Sequence, residues 1–284
     1  MSTIEVLDVS LRDGGHRTNF HFSDQELQRI LKALDKSGIE YIEVGYRNGV
    51  VNPMNNIGRA GMCQKDYLNL CQSFVKHAKI AVMVHPKNVS EFDLLELKKL
   101  GVQLVRVCML KDKFSEATTI LKQIKDLSFE LSLNITNMSH YEEAELDHLM
   151  QETVQYEPDM IYFADSNGSI FPEKVESIYQ KYTRQYLIPF GFHAHDNLGL
   201  AQANAIAAIH SGAKYIDTSL AGMGKGIGNL KTEFFAAYLR AIKVKDYDLK
   251  QLLLASNYIR QDLGVGYEPI SLDEFHRGIS DPAY

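Results

Sequence analysis

Cysteine is scarce in this chain. There are three in 284 residues, an odd number with no CxxC pair, which argues against a disulfide framework and against a thiolate metal site. Cys63, Cys71 and Cys108 read as buried or half-buried thiols in a reducing cytosol. A cationic excess is also missing: Lys and Arg total 30 against 36 Asp and Glu, a formal net charge of −6. That balance excludes a general nucleic-acid surface, which needs clustered basic residues. No apolar run approaches the ~20 residues that span a bilayer. The opening MSTIEVLDVSLRD turns charged too early for a secretory signal. No Pro- or Ser-rich linker divides the chain. A cytoplasmic protein with no nucleic-acid or membrane partner is the expectation.

With 45% hydrophobic and 23% charged residues, the composition is that of an ordinary globular protein able to bury a large core. Strand-like apolar segments recur at 4–11, 41–46, 79–85, 104–110, 131–138, 160–165, 190–195 and 215–222. Most gaps between them carry helix-period stretches such as SDQELQRILKALDKSG, which has a capping-box spacing at Ser23 and Glu26 and closes on Gly38. Eight strands alternating with helices predict an α/β fold, a (β/α)8 barrel over residues 1–245. A doubly wound open sheet is the architectural alternative. Residues 246–284 are expected to add a short C-terminal helical extension packed on the barrel.

A barrel carries its active site at the C-terminal ends of its strands, and polar residues gather at those ends here. Strand 1 runs into DVSLRDGGH, where alternation puts Asp8, Ser10 and Arg12 on one face and leaves Asp13 at the strand end. Taken alone, Arg12 and Asp13 equally describe a surface ion pair. Strand 7 supplies His193 and His195, two apart and therefore on one face; a lone histidine there would more often be a satisfied core residue. Two imidazoles and a carboxylate form a facial donor set with open positions, and strands 1 and 7 are separated only by strand 8 around a closed barrel. Glu43 interrupts the apolar strand 2 and needs a partner if it points inward; Arg12 is the expected one. Asp165 and Ser166 end strand 6, and a glycine-rich LAGMGKGIGN follows strand 8. Asp196 and Asn197 read as capping and support for the strand-to-helix junction.

Taken together, LDVSLRDG, YIEVGY, HAHDNLGLA and AGMGKGIGN, in this order across residues 4–240, resemble a superfamily of metal-dependent lyases. These are the HMG-CoA lyase-like TIM barrels, or DRE-TIM metallolyases, which include HMG-CoA lyase, isopropylmalate synthase and 4-hydroxy-2-oxovalerate aldolase. The resemblance implies that Asp13, His193 and His195 bind a divalent cation, with Asn229 nominated as a further ligand. It implies that Arg12 stabilises an enolate oxygen and that Glu43 holds Arg12. RDGGH is most similar to the 4-hydroxy-2-oxoacid aldolase branch, which makes His16 the acid/base. The glycine loop lacks both the cysteine of the HMG-CoA lyases and the Glu-Arg pair of Claisen synthases, and LSLNITNM lacks the lysine of biotin-dependent carboxyltransferases.

The implied activity is cleavage or formation of a C–C bond in a 4-hydroxy-2-oxo acid through a pyruvate enolate. The cation would be Mn²⁺ or Mg²⁺, with Co²⁺ or Zn²⁺ also compatible. Ser166 is a candidate for the substrate carboxylate, Tyr46 and Arg47 for its distal part, and Tyr267 for an additional hydroxyl. Residues 246–284 are shorter than the extension that couples such aldolases to an acetaldehyde dehydrogenase, so that partner is not expected. A homo-oligomer is compatible, because barrels of this size often pair. Three alternatives remain open: a Schiff-base aldolase using Lys111, a Claisen-type acyl-CoA condensing enzyme using Arg47 and Arg59 for the CoA phosphates, and a non-catalytic barrel that binds a small acid.

Overall fold

A computed structural model describes residues 3–283. Its strands are β1 (Glu5–Asp8), β2 (Tyr41–Tyr46), β3 (Lys79–Val84), β4 (Leu104–Met109), β5 (Glu130–Ile135), β6 (Met160–Asp165), β7 (Phe190–Ala194) and β8 (Tyr215–Thr218). All are parallel, and they close in sequence order, with β8 pairing back to β1 through Val6 opposite Ile216 and Asp8 opposite Thr218. The closed barrel excludes the open-sheet alternative. Helices α1 (Asp24–Ser37), α2 (Lys65–Phe74), α3 (Glu91–Lys99), α4 (Phe114–Asp126), α5 (Glu143–Thr153), α6 (Pro172–Gln185), α7 (Ala201–His210) and α8 (Thr232–Ala241) form the surrounding layer. Two more follow, α9 (Leu249–Leu263) and α10 (Leu272–Ser280).

Local chemistry sets these boundaries. Ser23 caps α1 by accepting the Glu26 backbone N–H, and the Glu26 carboxylate returns the bond to the Ser23 N–H; such a cap contributes about 1 kcal/mol. Gly38 closes the helix in the left-handed region at φ 89°. The strands are buried almost end to end because helices cover the outer face and side chains fill the lumen. Leu7, Tyr41, Ala81, Leu104, Met160 and Tyr162 form a small apolar cluster inside the barrel, apart from the main core between strands and helices.

Two local departures from the expected strands decide where functional side chains point. β1 stops at Asp8, and the chain folds into a tight turn in which the Val9 carbonyl accepts the N–H groups of Arg12, Asp13 and Gly14. Strand alternation therefore does not extend to Arg12. Ser10 instead accepts the Leu220 N–H, and Asp8 accepts the Thr232 hydroxyl behind the strand. In β2, Glu43 pairs with Ala81 but Tyr46 pairs with Met83, so the strand holds one extra residue between them. This bulge keeps Glu43 and Tyr46 on the inner face and turns Arg47 outward. Gly45 sits at the bulge, where any Cβ would run into the Ala60 carbonyl.

Candidate metal and substrate centre

Asp13, His193 and His195 converge at the C-terminal mouth of the barrel. One donor atom from each lies within 4.8 Å of the others, and all three residues are buried. His193 and His195 are successive inward positions at the end of β7, and their Nε2 atoms stand 3.3 Å apart. His195 Nε2 lies 3.9 Å from an Asp13 carboxylate oxygen.

The other ring nitrogens are held from behind. His193 Nδ1 donates to Asp217 at 3.0 Å, and His195 Nδ1 donates to the Lys225 carbonyl at 3.3 Å. These bonds orient both lone pairs toward Asp13, the arrangement expected of metal-bound histidines. Burial, aided by the nearby cations and opposed by Asp13, lowers the His195 pKa to about 3 and keeps the ring neutral. Burial pushes Asp13 the other way, but the histidines and Arg12 outweigh it and hold its pKa well below the usual carboxylate range. Two imidazole nitrogens with an ionised carboxylate fit a divalent cation. Asn229 adds to that fit: its Oδ1 is buried without a partner, although its Nδ2 is the atom that faces Asp13, at 2.8 Å.

Arg12 reaches the same point. Its Nε donates to Glu43 at 2.6 Å and one terminal nitrogen to Asp13 at 2.8 Å. The pairing of Arg12 with Glu43 is thus present, but Glu43 has a second partner in Arg106, at 3.0 Å. Arg106 is completely buried and also binds Asp217 at 2.8 and 3.1 Å. The chain of contacts runs Arg12–Glu43–Arg106–Asp217–His193 beneath the site.

Above it lies a cavity of about 360 Å³ lined by Arg12, Asp13, His16, Tyr46, Ser166, His193 and His195 among others. A model of the HMGL-like family matches residues 3–259, nine-tenths of the chain. The chain belongs to the HMGL-like family. Among relatives within it, a 4-hydroxy-2-oxovalerate aldolase of Carboxydothermus hydrogenoformans is 34% identical over 83% of this chain and 70% of its own length. Another protein of that name from Geobacillus genomosp. 3 is 31% identical over 90% of this chain and 76% of its own length. Of solved structures, the N-terminal domain of a proposed aldolase from Bacteroides vulgatus superposes with a TM-score of 0.87 at 31% identity, covering 98% of this chain and 93% of that one. The HMG-CoA lyase of Bacillus subtilis shares the fold, with a TM-score of 0.79 at 18% identity over 97% of this chain and 98% of that one.

The other positions singled out in this HMGL-like sequence fall into two groups. His16 follows Asp13 in a short 3₁₀ turn and packs edge-on against Phe20 at 4.9 Å and Tyr46 at 6.4 Å. Burial lowers its pKa despite the opposing pull of Asp13. Tyr46 lies beneath the Arg12 guanidinium at 5.8 Å, and the Ser166 hydroxyl accepts the Asn137 N–H at 2.9 Å while lining the cavity. Asp165 does not join them: it turns back to accept the Ser169 and Ile170 N–H groups. Asp196 caps α7 through the Ala201 N–H, and Asn197 holds the Glu274 carbonyl of α10.

Arg47, Lys111 and Tyr267 are placed elsewhere. The β2 bulge sends Arg47 outward, where Asp93, Glu96 and the Cys63 carbonyl take its guanidinium. Lys111 binds Glu145 and the His140 carbonyl, and its pKa is raised, first by the Glu145 bond. Tyr267 is 73% exposed on the link between α9 and α10. Sequence reasoning did not single out Arg106, Asp217 and His85. For the first two the signal was available: a charged residue at an inward position of an apolar strand, as with Glu43.

Proposed function

We propose that this protein is a divalent-metal-dependent aldolase that cleaves or forms the C3–C4 bond of a 4-hydroxy-2-oxo acid by way of a pyruvate enolate. The observation that carries this reading is the convergence of Asp13, His193 and His195 with Arg12 and His16 at one end of one cavity. Asp13, His193 and His195 would hold the cation, with Asn229 beside them; Mn²⁺ or Mg²⁺ suits the set best, and Co²⁺ or Zn²⁺ is also accepted. When bound, the cation supplies Lewis acidity at the oxygens of the 2-oxo acid.

The chain's own groups perform the rest. Two of the five Arg12 donors are committed to Glu43 and Asp13 at hydrogen-bond distance. The others are available to the enolate oxygen, and losing such a donor typically costs on the order of 10²–10³ in rate. His16, neutral at physiological pH, takes the proton from the substrate 4-hydroxyl. As the C3–C4 bond breaks, its electron pair forms the enolate, C4 leaves as the aldehyde, and C3 takes up the proton that His16 removed, giving pyruvate and restoring the neutral imidazole. Condensation reverses these steps. Ser166 binds the substrate carboxylate, and Tyr46 shapes the space beyond C4.

The competing routes find less support. A Schiff base needs a neutral lysine in the cavity; Lys111, the candidate read from the sequence, is held as a cation outside the lining, in which Lys225 is the lysine present. Arg59 is engaged by Asp24 and the Phe22 carbonyl, as Arg47 is by Asp93 and Glu96, so neither is a ready contact for CoA phosphates.

We assign the catalytic unit to residues 1–245 with a helical extension at 246–284. Three buried free thiols suit a reducing cytoplasm, and no helix among the described residues is long and apolar enough to cross a membrane. Elemental analysis combined with a screen of 4-hydroxy-2-oxo acids for pyruvate release tests the assignment; pyruvate from none of them, in a protein loaded with Mn²⁺, would remove it.

A further inference from the structure

β3 lies diametrically across the barrel from β7, because three strands separate them in either direction around the ring. Substrate oxygens held at the β7–β1 side therefore direct the rest of the molecule toward β3. His85 stands there, one position past the end of β3 and two beyond the inward Met83. It lines the cavity, is 7% exposed, and stacks on Tyr46 with ring centroids 5.4 Å apart and planes 11° from parallel. Tyr46 in turn contacts His16, so the three rings run from the acid/base toward the far wall.

The His85 Nδ1 is buried with no hydrogen-bond partner. The same cavity is lined by the apolar Val50, Met54, Met83 and Leu110. A purely alkyl substrate tail would leave that nitrogen unpaired in the complex, an arrangement protein interiors avoid. Burial, with Arg12 nearby, lowers the His85 pKa to about 4, so the ring is neutral and does not call for an anion. Arg47, which follows Tyr46, faces Asp93 rather than this wall.

We propose that His85 is a specificity-determining residue that hydrogen-bonds a hydroxyl on the aldehyde-derived part of the substrate, so that the acceptor is a hydroxyaldehyde rather than a simple alkanal. The inference rests on the aldolase reading above and narrows its substrate class.

The test compares kcat/KM for cleavage of 4,5-dihydroxy-2-oxopentanoate and 4-hydroxy-2-oxopentanoate by the metal-loaded protein, followed by pyruvate release. The wild type is expected to favour the dihydroxy acid by about tenfold or more, the discrimination of a site built to bond a hydroxyl. His85→Phe keeps a ring against Tyr46 without its nitrogens and should bring the ratio near unity. His85→Leu, expected to do the same, serves if the phenylalanine variant fails to fold. Exchange of the pyruvate C3 protons in D₂O, measured on the wild type without aldehyde, separates the two levels of the claim. Exchange with no preference for the dihydroxy acid, or a preference that survives His85→Phe or His85→Leu, overturns the proposal alone. Neither exchange nor cleavage overturns the aldolase reading and the proposal with it.

Discussion

Replacing Arg106 with methionine is the most demanding test of the ion network under the site. The guanidinium is fully buried and bonds Glu43 at 3.0 Å and Asp217 at 2.8 Å. Arg12 and Arg106 face Asp13, Glu43 and Asp217, so these two cations and three carboxylates carry a formal charge of −1. Arg106→Met takes this to −2 and strips the buried Asp217 of the guanidinium nitrogen that bonds both its oxygens. Breaking a buried pair from one side costs about 3–5 kcal/mol, and in a domain of this size each kcal/mol moves Tm by about 2–4 °C. The expected fall is therefore about 6–20 °C, measured by calorimetry and checked by urea unfolding. The double variant Arg106→Met with Asp217→Asn should recover part of it, since the uncompensated charge is gone. A loss below about 1 kcal/mol, or a double variant worse than the sum of the singles, would refute the reasoning.

His193→Ala and His195→Ala are each expected to lose bound metal in elemental analysis together with activity, while Asp217→Asn, which frees His193 Nδ1, should weaken metal affinity by about 10–100-fold in a competition titration. The acid limb of kcat/KM should fall below pH 6.5, because burial lowers the His16 pKa and keeps the base neutral into more acidic solution; His16→Ala should abolish that limb. Burial raises the Asp8 pKa from 3.8 to about 7 against the pull of its Ser10 and Thr232 bonds. A raised acid pKa favours the folded state below 3.8, and that contribution is lost as pH rises through about 7. Urea unfolding should accordingly show stability declining across that window, with a flatter profile in Asp8→Asn.

The barrel was legible because parallel strands buried on both faces leave continuous apolar runs, and eight such runs with helical spacers admit few other closures. His193 and His195 were legible because strand alternation holds to the end of β7. The same rule failed at β1, where a turn rather than a strand face delivers Arg12 and Asp13, although their place at the rim survived. At β2 one extra residue turns Arg47 away from the distal substrate position expected of it; Gly45 was the local sign, and single glycines within strands have several causes. Arg106 and Asp217 belong to interior chemistry that periodicity does not register, since each looks like an isolated charge until the barrel closes. Ring stacking between Tyr46 and His85 has no signature along the chain at all.

The central claim is that cleavage proceeds through a cation held by Asp13, His193 and His195 and not through a lysine. It is tested most directly by treating the protein with EDTA, measuring pyruvate release from a 4-hydroxy-2-oxo acid, and repeating the measurement after adding Mn²⁺ or Mg²⁺. Activity that disappears and then returns is the expected result. Activity untouched by EDTA, with a pyruvate adduct on lysine trapped by borohydride, would contradict it.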